Sequence, residues 1–356
     1  MILLTVNEFD SGGRLDKYIA RFLKEAPTSF IYKMLRKKNI TLNGKKATGS
    51  EKLNTGDEVK LFLADETVIK FGGKVDNLQR ADENISETDK KIHDEYEKYK
   101  NLLWPYDLPQ IIYEDDDILV INKPADVLSQ GAEKGDISLN DYIINYLIRE
   151  KDFTEDDLRR VRPSVTNRLD RNTSGVILAG KTLAGLRFLS EIIKERTIEK
   201  YYLTIVKGKI SEKKLVNSYL LKSKTHNQVK IFDEPYEDAS LISTEYEPLA
   251  FNDRATLLRV KLITGKSHQI RAHLAYLGHP VIGDPRYGER KENTEAARFG
   301  IHFQLLHSYE TIFPEDCGDR FARLNGQHFI AEVPDYFLKT AERYKIAECL
   351  HGAAGA

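Results

Sequence analysis

Hydrophobic and polar positions change rhythm three times along this chain. Between residues 13 and 63 the rhythm is first helical. Leu15, Ile19, Phe22 and Leu23 recur at helical spacing, with Lys17, Arg21 and Lys24 on the other side. A second short helix is predicted from Ser29, a candidate cap, to Arg36-Lys37-Lys38-Asn39. Ile40-Thr41-Leu42 then runs into Asn43-Gly44, a strong tight-turn signal, and Glu58 to Phe62 reads as a closing strand after Gly56-Asp57. Residues 64 to 107 lose this order. Asp82-Glu83-Asn84 and Ser86-Glu87-Thr88-Asp89 break any apolar pattern. Only a charged helix from Lys90 to Lys100 is predicted there, with Ile92, Tyr96, Tyr99 and Leu103 as a sparse stripe. Trp104-Pro105 marks re-entry into a folded body.

In the body, Ile118 to Ile121, Val176 to Leu178, Tyr202 to Val206 and Thr256 to Leu262 read as strands, without the regular alternation of a βαβ array. The expected fold class is α+β, with a mixed, largely antiparallel central sheet, flanking helices and a cleft, plus the small amino-terminal α-plus-hairpin domain. Four segments follow: a basic module at 1–63, a charged linker with one docking helix at 64–107, a body at 108–345 and a flexible tail at 346–356. The linker is long enough to let the module move against the body. No internal repeat is evident.

Length supports this division, since 356 residues exceed one typical domain. The formal net charge of −1 speaks against a general nucleic-acid binder. The average conceals a gradient, however. Residues 1–63 hold 12 Lys and Arg against 7 Asp and Glu, which leaves the remainder about six units negative. A basic module on a mildly acidic body suits localised contact with a polyanion, although an ordinary solvated basic face reads the same way. Two cysteines, Cys317 and Cys349, exclude a disulfide scaffold and fit a reducing compartment. With no secretory pattern after Met1 and no membrane-length apolar run, the protein is expected to be cytoplasmic.

Candidate chemistry concentrates in Asn167-Arg168-Leu169-Asp170-Arg171-Asn172-Thr173-Ser174-Gly175, a polar turn before an apolar strand. One carboxylate stands between two guanidinium groups, and a neighbouring cation favours its ionised form. A positioned carboxylate is what nucleophilic or general-base catalysis needs, while a salt-bridged surface turn would look the same. A second candidate is the helix predicted from Ser267, as cap, to Gly278. Its stripe is Ile270, Leu274 and Leu277, and Arg271 lies beside it, able to lean into a cleft lip. Tyr202 shares a strand face with Thr204 and Val206. Competing motifs are weak. Gly265-Lys266-Ser267 ends a phosphate loop only if position 260 is glycine, and it is Val260. His268, His273 and His279 lack helical metal-pair spacing, so no metal is expected. Ser174 lacks the pattern around a hydrolase nucleophile.

The stretch NRLDRNTSGV resembles the signature around the catalytic aspartate of the RluA-type pseudouridine synthases. Three more segments match that family in order: Tyr113-Glu114-Asp115 through Asn122-Lys123-Pro124, Glu199-Lys200-Tyr201-Tyr202, and the run from Thr264 to Gly288. The resemblance spans roughly residues 110 to 335, and Asn167 stands where the family usually has histidine. RLDKYIARFL, FIYKMLRKKN, TLNGKK and GDEV resemble the small S4-like RNA-binding module. The resemblances imply isomerisation of uridine to pseudouridine in RNA, most naturally large-subunit ribosomal RNA, by a monomer needing no cofactor. Asp170 would start the reaction by attack on the ribose, removal of a ribose proton or addition to the base. Arg271 would orient it and Tyr202 would stack on the uracil. Arg36, Lys37, Lys38 and Lys45 would meet phosphates, and Arg168 and Arg171 would touch RNA beside the turn. The target base would have to leave its helix. Transfer RNA as substrate, a non-catalytic RNA-binding protein, and a nucleosidase with two carboxylates are the alternatives.

Overall fold

The computed structural model describes residues 2–7, 10–72, 87–133, 135–222, 229–348 and 350. The amino-terminal module begins with a strand that the apolar pattern does not announce, β1 (Ile2–Thr5). Helices α1 (Leu15–Phe22) and α2 (Thr28–Arg36) pack on a sheet completed by β2 (Ile40–Leu42), β3 (Lys45–Lys46) and β4 (Glu58–Leu61), in the order β1-β4-β2-β3. Asn43 and Gly44 both adopt positive φ between β2 and β3, as the turn signal requires. The start of α2 differs from expectation: it begins at Thr28 after Pro27, and no side chain caps it, so Ser29 lies inside the helix. The fixed φ of proline already presets the backbone for a helix start. The packed module also runs past residue 63. Helix α3 (Asp65–Lys70) lays Val68 into the module core, and Phe71 meets Phe30 with ring centroids 4.4 Å apart.

Helix α4 (Glu87–Lys100) contains the expected charged helix. Tyr99 is buried against the body, Tyr96 donates to the Phe153 carbonyl (3.2 Å), and Asn145 donates to the Tyr99 carbonyl (2.6 Å). Leu103, the expected end of that stripe, is exposed beyond the helix. The expected breaks at 82–84 and at Ser86 lie outside the described residues. The module also touches the body: Arg21 donates to the Arg160 carbonyl (2.7 Å) and Arg320 to Ser11 (3.0 Å).

The body is built on one 11-stranded sheet. In chain order its elements are β5 (Gln110–Glu114), β6 (Ile118–Lys123), α5 (Leu139–Glu150), α6 (Glu155–Arg160), β7 (Ser164–Val165), β8 (Ser174–Gly180), α7 (Leu183–Glu195), β9 (Glu199–Lys207), β10 (Lys214–Lys222), β11 (Val229–Phe232), β12 (Ser240–Phe251), β13 (Ala255–Leu262), α8 (Gln269–Tyr276), α9 (Arg290–Ala297), β14 (Leu306–Ile312), β15 (His328–Ile330) and α10 (Asp335–Arg343). The strand order is β11-β10-β12-β13-β9-β14-β8-β6-β5, with β15 beside β14 and β7 beside β8. Among the described strands only β8 and β14 pair in parallel, so the sheet is mixed and mostly antiparallel, as expected. Alternation along β9 sends Tyr202 and Val206 to the core under α5 and α8, and Leu203 and Ile205 to the core under α10. The central strand β8 is buried at every residue, which is why its sequence is a continuous apolar run. At the carboxyl end, Ile346, Ala347 and Leu350 are buried with α10, so packing continues past the expected boundary at 345. Residues 351–356 lie outside the described residues. No helix among the described residues is long and apolar enough to cross a membrane.

Two buried histidines give this core a pH signature. His273 sits between Thr244 and Ser218, and His307 between Ser174 and the Ala331 carbonyl. Burial pushes both pKa values down to about 4. Between that value and the ordinary 6.5, the unfolded chain binds protons that the folded chain refuses, so stability falls with falling pH. The expected loss between pH 6.5 and 4 is up to about 3 kcal/mol per histidine. Thermal melts across that range check it, and His307→Asn should flatten the slope if it folds.

Candidate active site

The turn that carries Asp170 is held at nearly every residue by β8 and its own neighbours. Thr166 donates its N–H to the Leu178 carbonyl (2.8 Å). The Asn167 side-chain oxygen accepts from the Leu178 N–H (2.7 Å), so the asparagine anchors the turn to β8. Leu169 is buried in the core, and Ser129 brackets it, donating to its carbonyl (2.9 Å) and accepting from its N–H (3.1 Å). The Thr173 N–H closes the turn on the Asp170 carbonyl (2.9 Å). Leu169 thus anchors the turn in the core, and the next residue, Asp170, lines the cleft.

Beneath the turn lies a residue to which the sequence pattern assigns no role. Lys123 is fully buried, and its ammonium donates to the carbonyls of Pro124 (2.9 Å), Val127 (2.8 Å) and Arg171 (3.0 Å). Three acceptors match its three protons. Burial pushes its pKa down to about 7, against the pull of the Asp170 and Asp126 carboxylates. Lys123 and Gly175 are neighbours across β6 and β8; Gly175 pairs with Ser308 of β14, and Ser308 with Tyr202 of β9. One row across four strands thus holds the lysine under the turn at one end and the tyrosine at the other. Gly175 has φ +107°, and a Cβ there would stand 2.1 Å from the Ser308 carbonyl oxygen, so no other residue fits.

Arg271 comes from α8 on the opposite wall. Its Nη1 donates to Asp170 Oδ2 (2.6 Å), while Nε and Nη2 donate to Asp284 Oδ2 (2.7 Å) and Oδ1 (2.8 Å). A guanidinium offers this fork geometry and an ammonium does not. Arg271 is 5 % exposed and Asp284 0 %. Burial works against the arginine charge, and the two carboxylates outweigh it, so its pKa is raised. Asp284 resists burial through Arg271 and the N–H groups of Arg286 and Tyr287, which hold its pKa down. One expectation gains detail here and one changes. Arg271 does lean into the cleft, from a helix that is buried from Gln269 to Leu274. Ser267 is not the cap: His268 occupies that position in the left-handed region without a side-chain cap, and Gln269 accepts from the Lys266 N–H and Thr264 instead.

Tyr202 is 5 % exposed and lines the same cleft. Burial raises its pKa to about 12, with a hydrogen bond from Ser308 opposing and Asp170 adding, so it is a neutral phenol at ordinary pH. The cleft measures about 890 Å³. Arg168, Lys194, Arg196, Lys200, Lys222 and Lys266 line it, and none is in an ion pair with a described residue. Asp170 is the only carboxylate among the described residues that line it. Arg171 differs from Arg168, being paired with Asp126 (2.8 Å). Arg36, Lys37, Lys38 and Lys45 stand together at the end of α2 and on the β2–β3 hairpin, exposed and without ion pairs to described residues.

The competing motifs resolve structurally. His268 faces Asp170, whereas His273 holds two hydroxyls and His279 the Lys207 carbonyl, so the three do not converge. Ser174 does meet a histidine, His307 (2.8 Å), but the pair is buried and out of reach of substrate. Asp284 and Lys123 were missed by sequence reasoning, although both lie inside matched segments. The Gly283-Asp284 pair after α8 was the available signal for the first.

The chain matches the family model described as RNA pseudouridylate synthase over residues 117–276 and the S4 domain over residues 13–59. It is 32% identical over 320 residues to ribosomal large subunit pseudouridine synthase C of Escherichia coli, covering 86% of each chain. It is 30% identical over 323 residues to the protein of that name from Vibrio cholerae, covering 89% of this chain and 90% of the relative. Among solved structures, human RNA pseudouridylate synthase domain containing 4 superposes with a TM-score of 0.53 at 18% identity, covering 66% of this chain and 93% of that one. That likeness speaks for the fold.

Proposed function

The chain belongs to the RNA pseudouridylate synthase family, and from that premise we propose that it converts uridine to pseudouridine in large-subunit ribosomal RNA, with Asp170 initiating the reaction. The observation that carries the assignment of roles is the divided carboxylate: Asp170 Oδ2 is fixed by a buried guanidinium, and Oδ1, with no hydrogen bond from a described residue, is available in the cleft. In this reading the base–ribose bond breaks, the uracil turns, and a carbon–carbon bond forms with no cofactor. Asp170 acts at the ribose or the base, Arg271 holds its orientation and charge, and Tyr202 packs against the uracil as a neutral phenol. The unpaired cations around the cleft receive the phosphates that flank a flipped nucleotide. A nucleosidase working with two carboxylates finds no second one among the described residues lining the cleft. Ribosomal RNA is favoured over transfer RNA by the relatives' names. The cell compartment that follows is the cytoplasm.

A tritium-release assay on uracil-labelled, unmodified large-subunit ribosomal RNA tests the proposal. Tritium release without free uracil is expected. Release from transfer RNA alone would reassign the substrate, and free uracil would replace an isomerase by a hydrolase. The module is tested separately by replacing Arg36, Lys37, Lys38 and Lys45 with glutamine. RNA affinity should fall, and its dependence on salt should flatten by roughly 0.7 in log–log slope for each phosphate no longer neutralised. The single-turnover rate at saturating RNA should hardly change. Binding that keeps its affinity and its slope would remove these four residues from the interface.

A further inference from the structure

The second oxygen of Asp170 has a neighbour for which the roles above have no use. His268 Nε2 stands 3.8 Å from Asp170 Oδ1, too far for a hydrogen bond and close enough for both to meet one further atom. His268 is held there at some cost. It occupies the left-handed region at φ 54°, ψ 18°, which is uncommon for a residue with a side chain. Its other nitrogen, Nδ1, meets the Tyr287 hydroxyl at 3.0 Å. That hydroxyl accepts from the Val229 N–H (3.3 Å), and Nδ1 is the acceptor the structure gives its own proton. Nδ1 therefore accepts and Nε2 carries the imidazole proton, directed toward Asp170. Burial lowers the His268 pKa, aided by Arg271 and Arg286 and opposed by Asp170 and Asp284, so the ring is neutral at ordinary pH.

A proton donor and a carboxylate acceptor 3.8 Å apart define the chemistry of what fits between them. An atom about 2.8 Å from both must accept from His268 and donate to Asp170. A base carbonyl accepts only, and would face the carboxylate with like charge. The uracil N3–H donates only. Within a uridine inside an RNA chain, the group that does both is the ribose 2′-hydroxyl. It also neighbours the glycosidic carbon, whose bond to the base the reaction breaks. We propose that His268 and Asp170 together seat the 2′-hydroxyl of the target ribose, with His268 donating to it and Asp170 accepting from it. This rests on the uridine-isomerising reading of the site. It makes His268 a substrate-contacting specificity residue, and Tyr287 the positioning residue that fixes its tautomer.

The test uses the full chain and a short RNA spanning the target uridine, mapped beforehand with the wild-type protein. Two unlabelled fragments, one with uridine and one with 2′-deoxyuridine at that position, compete against the tritiated RNA. Wild type should bind the ribo fragment at least roughly tenfold more tightly than the 2′-deoxy fragment, since the 2′-hydroxyl makes one neutral hydrogen bond and one to a charged group. His268→Ala should lose roughly a fivefold share of that preference, the part of one neutral hydrogen bond, while Asp170 retains the rest. His268→Gln, which places an amide N–H near the Nε2 position, should recover at least half of the preference. The left-handed backbone burdens both variants equally and cancels between them. Wild type indifferent to the 2′-hydroxyl, or His268→Ala that keeps the full wild-type preference, would overturn the proposal. Loss of the preference in both variants would assign His268 a packing role and overturn it as well. Tritium release by wild type from the tritiated RNA is scored first: its absence would reject the uridine-isomerising reading, whereas release without discrimination between the fragments would reject the seat alone.

Discussion

Asp170→Asn is expected to lower pseudouridine formation by about 10³-fold or more, because it removes the one ionised group that every route through this site requires. The change is isosteric. The amide oxygen can still accept from Arg271 Nη1, so the wall of the cleft keeps its partner. The loss in stability should stay within about 1.5–3 kcal/mol, the worth of a charge-assisted hydrogen bond. RNA affinity should be nearly unchanged, since the cations lining the cleft and the module are untouched. Tritium release gives the rate, and direct RNA binding gives the control. Substantial turnover by a clean Asp170→Asn preparation would mean that the initiating group lies elsewhere.

Arg271→Ala should have the larger effect on the molecule as a whole. It leaves Asp170 without its orienting donor and strands Asp284, which is fully buried and already committed to two backbone N–H groups. Removing one partner of a buried pair typically costs about 3–5 kcal/mol. Activity should fall by about 10²-fold or more in the fraction that remains folded. The two losses separate in a double variant. Arg271→Ala with Asp284→Asn no longer buries a lone charge, so stability should partly return while turnover does not. Arg271→Lys should fall between, because one ammonium cannot serve both carboxylates in the fork geometry. Denaturant unfolding and tritium release on the same preparations check this. Stability and turnover that return together in the double variant would reduce Arg271 to a structural ion pair.

The sequence carried the position of Asp170 because a polar turn before a strand buried on both faces is a local feature. The strands at β6, β8, β9 and β13 were legible for the same reason, as was the hairpin at Asn43-Gly44. The burial of Arg271 was not legible. Helical periodicity assumes one core face, and α8 has its whole amino-terminal half enclosed, so no face is left polar to reveal it. Asp284 and Lys123 act through contacts 13 and 48 residues away in sequence, and no spacing rule reaches that far. The missed caps share a cause: Pro27 and the left-handed His268 set the helix starts through backbone geometry rather than through a hydroxyl. Strand β1, four residues long with alternating half-buried and exposed positions, is too short to carry a pattern.

The row of Lys123, Gly175, Ser308 and Tyr202 has a bearing on which molecule adapts when the complex forms. Strands in a sheet sit about 4.8 Å apart, and ladder bonds do not stretch. The carboxylate turn and the tyrosine are therefore fixed to one frame, two strands apart, and cannot close on a substrate like jaws. Recognition must bring the nucleotide to a gap of preset width, so most of the rearrangement, and most of the entropy lost, belongs to the RNA. Substrates whose target uridine is already unstacked should be modified fastest, whatever their sequence.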